Sequence, residues 1–137
     1  RQSFLLEEFL VGRRQDCEGV FRPTEGRVLV HAHCHQKALV GTRPTLEALR
    51  LIPGLSVKEI DAGCCGMAGS FGFEREHYDL SVAIGRQRLF PAIEEAGEGT
   101  EVVASGVSCR QQILHGTGRR ARHPAEILSE ALEAARR

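Results

Sequence analysis

The chain has 137 residues, 42% of them hydrophobic and 26% charged, with 18 basic side chains balancing 18 acidic ones. That length suits one domain with a buried core and is short for two ordinary ones. The balance removes the clustered positive excess that phosphate binding needs, so nucleic acid is not an expected partner, and no apolar run approaches the roughly 18 residues of a membrane span.

No secretory signal opens the sequence, and a first residue Arg1 in place of methionine reads as a piece excised from a longer chain. Five cysteines, an odd number without the regular spacing of a small secreted scaffold, favour a reducing compartment and a bound cofactor over disulfides.

Ser3 to Val11 predicts a helix capped by Ser3, with Leu5, Leu6, Phe9 and Leu10 in one apolar stripe. Gly12 to Gly26 is dominated by charge and turn formers and reads as a loop or lid, in which Cys17 is an incidental thiol. Residues 1–26 thus form an N-terminal helix and loop ahead of the main domain, residues 27–137.

Arg27 to Ala32 is a β-rich run, apolar on both faces, as expected of a strand covered on both sides. It leads directly into HAHCHQKAL. Pro44 opens a helix reaching about Leu51, and Leu55 to Ile60 makes a second strand. DAGCCGMAGSFGFE follows, with glycines at 63, 66, 69 and 72 around the adjacent Cys64 and Cys65. Each glycine costs roughly 0.5–1 kcal/mol against alanine in a helix or strand, so something other than local propensity must hold this segment.

Glu74 to Ala96 carries a helical pattern that Pro91 should kink or restart. Glu101 to Ala104 is a third strand, and SGVSCRQQI turns into a helix ending near Gly116 or Gly118, where Ser105 or Ser108 could provide the cap. The Arg119, Arg120, Arg122 cluster reads as a solvated loop. Pro124 then begins a helix with Ile127, Leu128, Ala131, Leu132 and Ala135 on one face, ending in Arg136 and Arg137. Alternation of this kind predicts a single α/β domain, a parallel sheet with helices on both faces.

Cys34 follows the first strand, Cys64 and Cys65 the second, and Cys109 the third. In a parallel sheet these strand ends share one edge, so the four thiols can converge on an iron–sulfur centre. Three other readings stand beside it: cysteines as small buried hydrophobes, a vicinal disulfide between Cys64 and Cys65, and a zinc site of two or three cysteines with His33 or His35. His31, His33 and His35 would share one face if the strand continued; a turn before Cys34 would instead leave one histidine beside the cluster. His77, His115 and His123 read as helix or loop residues. No serine–histidine–aspartate set or carboxylate pair is evident.

HCHQKAL, DAGCCGMAGSFGFE and SGVSCRQQI together resemble the cysteine-rich CCG domain. That domain occurs in the cysteine-rich subunit of heterodisulfide reductase and in the iron–sulfur subunits of glycolate oxidase and anaerobic glycerol-3-phosphate dehydrogenase. It also forms the C-terminal part of FAD-linked oxidases of the D-lactate dehydrogenase type, the group the chain is most similar to. The resemblance covers roughly residues 27 to 132.

It implies an electron-transfer module that passes electrons from a flavin to a quinone or other acceptor, with Cys34, Cys64, Cys65 and Cys109 as ligands. The family's downstream C-x-x-C is incomplete, because Gln112 stands where its last cysteine would be. Four ligands suffice for a 4Fe–4S cluster. FAD would reside in a partner, the implied partners being an FAD-binding oxidase domain and a ferredoxin-like iron–sulfur domain of the same chain or complex. The implied location is the cytoplasm, peripheral to the inner membrane face through those partners. The alternative implied by the missing cysteine is a zinc-stabilised or metal-free docking domain.

Overall fold

The structure, a computed structural model, describes residues 3–133. Four strands, β1 (Gly26–His31), β2 (Leu55–Glu59), β3 (Thr100–Ala104) and β4 (Ala121–Arg122), form one sheet. Their order is β2-β1-β3-β4, and every pairing is parallel. Helices α1 (Leu6–Gly12), α2 (Cys34–Leu39), α3 (Arg43–Leu49), α4 (Tyr78–Gln87), α5 (Leu89–Glu95), α6 (Val107–Thr117) and α7 (Pro124–Glu133) surround it.

The apolar run of β1 explains the layering. Val28 and Val30 point to one face, where they pack with Leu49 of α3 and with Ile127 and Leu128 of α7. Leu29 points to the other and meets Leu89, Phe90 and Ile93 of α5 and Ile113 of α6. The sheet is therefore covered on both sides, the architecture that the alternation of elements predicts. Leu49, Leu89, Ile93 and Ile113 are fully buried, each contributing about 1.5–3 kcal/mol relative to exposure. Leu10, Cys17 and Phe21 join the first of these cores, so the N-terminal segment packs on the sheet.

Several boundaries differ from the sequence reading. α1 starts at Leu6, not at a Ser3 cap: the Leu5 N–H is satisfied by the Glu8 carboxylate at 2.9 Å. Leu5, Leu6 and Phe9 of the expected stripe are exposed, and Leu10 is the member packed on the core. The long helical pattern breaks at Arg88. Pro91 lacks the N–H that would bond Gln87, and its ring would crowd that carbonyl, so the first helix ends at Gln87 and the second begins anew.

The arginine cluster is not a solvated loop. Arg119 donates to the carbonyls of Gly97, at 2.9 Å, and of Thr100, and Arg122 pairs with Glu130 at 2.8 Å. Between them Ala121 and Arg122 form β4, pairing with Val102 and Val103. Ala135, Arg136 and Arg137, expected to end the last helix, lie outside the described residues. Among the described residues no helix is long and apolar enough to cross a membrane.

Candidate metal centre

β1 and β3 flank the point where the strand order reverses, since the chain leaves β1 for β2 and returns on its other side. In open parallel sheets the crevice beyond the strand ends at that point is where sites form. β1 stops at His31, and after an extended His33 the helix α2 opens on Cys34. Past β2, Ile60 still donates to Val30 at 2.8 Å, which carries the chain alongside β1 as far as the paired cysteines. β3 stops at Ala104, and Cys109 is the third residue of α6, where the helix dipole favours a thiolate. Gly106 occupies the cap position of α6; Ser105 instead donates to Gln36 Oε1 at 3.1 Å.

The glycine-rich loop is fixed by contacts with α4. Gly66 has φ +98°, and a Cβ there would sit 2.1 Å from the Ser81 carbonyl oxygen. Only glycine combines that backbone with that approach. Gln112, which replaces a cysteine of the resembled motif, is buried, and its Nε2 donates to the Cys65 carbonyl (3.1 Å), the Ser81 carbonyl (3.1 Å) and Ser81 Oγ (3.0 Å). It ties the cysteine loop to α4 and α6. The Gly66 N–H donates to Cys64 Sγ at 3.3 Å, as expected of a backbone folded around a thiolate.

Cys65 and Cys109 are buried, Cys64 is half-buried and Cys34 is exposed. A hydrogen bond from the Cys109 thiol holds the Cys65 thiol well below the usual range; burial opposes this, and the nearby His31 ring reinforces it. The same bond, with burial, pushes Cys109 strongly upward, and Cys34 and Cys64 lie near enough to add to the rise. Burial also raises Cys64, with the Gly66 N–H opposing. Full deprotonation would gather several thiolates at one sheet edge, an arrangement that a cation relieves.

The structure separates the histidines. The His31 ring lies against Cys65 and Cys109, one ligand atom from each of the three residues falling within 4.8 Å of the others. His33 and His35 line a groove of about 570 Å³ with Leu5, Leu6 and Leu39, the His33 ring also bordering Gly106 beside Cys109 Sγ. His77 stacks on Phe71, with ring centroids 3.8 Å apart, His115 lies 2.6 Å from the Tyr78 hydroxyl, and His123 accepts the Ala125 N–H at the start of α7. Cys17 packs in the core on the opposite face of the sheet from Cys65 and Cys109. His31 is the site residue that sequence reasoning passed over. Its signal was strand alternation, which places it on the same face as Leu29.

These donors suit a thiophilic metal or iron–sulfur group, and comparison with known proteins points the same way. Over 111 residues, 81% of this chain, the sequence is 42% identical to a subunit of the anaerobic glycerol-3-phosphate dehydrogenase of Escherichia coli (strain K12). The relatives are dehydrogenases or dehydrogenase subunits. Over 102 residues the chain is 33% identical to "D-2-hydroxyglutarate dehydrogenase" of Pantoea ananatis, and over 105 residues 33% identical to the protein of the same name from Pseudomonas putida, covering 74% and 75% of this chain. The chain spans 28% of the length of the first relative and 10% of each of the other two. The glycerol-3-phosphate enzyme is among those named from the motifs, whereas D-2-hydroxyglutarate dehydrogenase is not. No family model and no solved structure matches the chain.

Proposed function

We propose that this domain holds an iron–sulfur cluster on Cys34, Cys64, Cys65 and Cys109 and carries electrons for an FAD-linked dehydrogenase. The observation that carries the reading is the convergence of buried soft donors beyond the strand ends, with Cys65 and Cys109 at its centre. Such a cluster supplies a one-electron carrier. The chain's own residues would bind it, exclude water from its inner side through the buried Cys65 and Cys109, and hold the loop with Gln112.

Exposed Cys34 and half-buried Cys64 mark the outer side, where electrons would enter or leave. Cys64 borders a crevice of about 500 Å³ that Lys37 and Arg88 also line. Hydride abstraction from a hydroxy acid would belong to a flavin-bearing partner, and this domain would pass electrons onward to a ferredoxin-like domain, a quinone or another acceptor. On this reading residues 27–137 are the electron-transfer unit, with Leu10, Cys17 and Phe21 of the preceding segment packed on it, located in the cytoplasm and peripheral to the inner membrane face through its partners.

Anaerobic purification followed by iron and sulfide analysis and electron paramagnetic resonance tests the assignment. Iron and acid-labile sulfide with a reducible signal are expected. A second reading, a zinc-stabilised docking domain, is favoured by the imidazole and two thiols lying together, a donor set typical of zinc. Stoichiometric zinc without iron under anaerobic conditions would establish it in place of the first.

A further inference from the structure

β1 ends on a histidine whose ring is 1% exposed. Neither Nδ1 nor Nε2 of His31 meets a hydrogen-bond partner at bonding distance and angle, although the ring lies close enough to Cys65 to help lower that thiol's pKa. A buried polar atom left unpaired costs about 1–3 kcal/mol, and the great majority of such atoms in folded proteins are satisfied. What lies beside this ring is the Cys65 and Cys109 pair, within 4.8 Å. Donors bound to one ion at about 2.0–2.3 Å stand roughly 3.3–3.8 Å apart, and donors on separate irons of a cluster stand farther apart, so the spacing lets the three share one centre of either kind after a small adjustment. Imidazole and thiolate are also the two donor types that the same borderline-soft metals accept.

Of the other polar side chains nearby, Gln112 directs its amide at Cys65 O and Ser81, and His35 opens on to the groove beside α1. His33 is half-buried, with its ring beside Gly106 on the same side as Cys109 Sγ, but only His31 groups with both sulfurs. We propose that His31 is a nitrogen ligand of the centre, bound together with the Cys65 and Cys109 sulfurs. This rests on the metal-centre reading above and changes its ligand set from thiolates alone to a mixed one, His31 standing in place of the exposed Cys34. Replacing thiolate by imidazole raises the potential of an iron–sulfur centre, so the domain would accept electrons more readily than an all-cysteine counterpart.

The test uses the full chain, with and without ¹⁵N-histidine, reconstituted anaerobically with ferrous iron and sulfide and examined by pulsed electron paramagnetic resonance. A histidine nitrogen coupling is expected in the wild type, retained in His33→Ala and His35→Ala and lost in His31→Ala. The potential should fall in His31→Cys. An iron centre with no histidine coupling, or a coupling that survives His31→Ala, overturns the proposal and leaves the cofactor reading standing.

Should His31→Ala fail to fold, the His33→Ala/His35→Ala double variant decides: persistence of the coupling supports His31 and its loss refutes it. If the chain takes only zinc, cobalt substitution reads the same ligand. A cobalt spectrum changed by His31→Ala then supports the assignment, and an identical one overturns it. A wild-type chain that binds neither iron nor zinc overturns both readings together.

Discussion

Replacing Gln112 by leucine keeps the buried volume nearly constant and removes the amide that joins the cysteine loop to α4. Its Nε2 stands within 3.0–3.1 Å of three acceptors, Cys65 O, Ser81 O and Ser81 Oγ. Two N–H groups serve them, so at least two hydrogen bonds disappear. Ser81 Oγ can keep its weak contact with Met67 Sδ at 3.8 Å, and the Ser81 carbonyl, inside α4, keeps its helical donor, whereas the Cys65 carbonyl stays buried without the amide. At about 1–2 kcal/mol for that unsatisfied carbonyl the loss is roughly 1–2 kcal/mol. With a urea slope of about 2 kcal/mol per molar, the unfolding midpoint of metal-free protein should drop by about 0.5–1 M at unchanged slope. A drop below about 0.25 M, or roughly 0.5 kcal/mol, would show that the amide does not hold the loop and would refute the reasoning.

Gly66→Ala adds a Cβ 2.1 Å from the Ser81 carbonyl oxygen at a φ of +98°. Backbone strain alone costs about 1–3 kcal/mol, so both melting temperature and metal content should fall. Gly63→Ala, which meets nothing within 4 Å, should leave both unchanged, and equal effects at the two positions would contradict this account. Cys65→Ser should abolish iron binding while Cys17→Ser, on the opposite face of the sheet, should not; iron analysis of the two separates ligand from core cysteine. Glu126 accepts the His123 N–H at 2.6 Å at the start of α7, a bond that lowers its pKa. Because the folded state favours the carboxylate, its contribution is present above the ordinary carboxylate range and is lost as pH falls through the lowered value. Urea midpoints of Glu126→Gln should accordingly approach those of the wild type at acid pH, and a gap constant with pH would rule the cap out.

The fold was legible because the strong signals lay in the core. β1 and β3 are short valine-rich runs buried on both faces, which leaves no other placement for them, whereas the edge strand β2, with no buried residue, is marked by the turn residues that bound it. β4 was not legible, since its two residues, Ala121 and Arg122, carry no periodicity; Arg119 before it is held by Gly97 O and Arg122 within it by Glu130. The α1 start was not legible either, because a leucine at the cap position signals nothing until Glu8 folds back on it.

The site divides along the same line. Topology alone brings cysteines that follow parallel strands toward one edge; among the described residues Cys65 and Cys109 group with His31, while exposed Cys34 and half-buried Cys64 lie outside that group. Which histidine joins them depends on where β1 ends, a boundary that pattern leaves uncertain by several residues. Reading HAHCH as a single histidine cluster hides the change of direction after His31. The strand keeps its alternation through His31, which turns that ring inward below Leu29 to Cys65 and Cys109. His33 is the residue before α2; its half-buried ring borders the groove and lies beside Gly106 near Cys109 Sγ, and the ring of His35 is exposed. Two positions along the chain thus separate a ring sealed within the sheet edge from one at its rim. The inner ring is buried with neither nitrogen hydrogen-bonded, and a metal bound beside the two sulfurs would supply what it lacks.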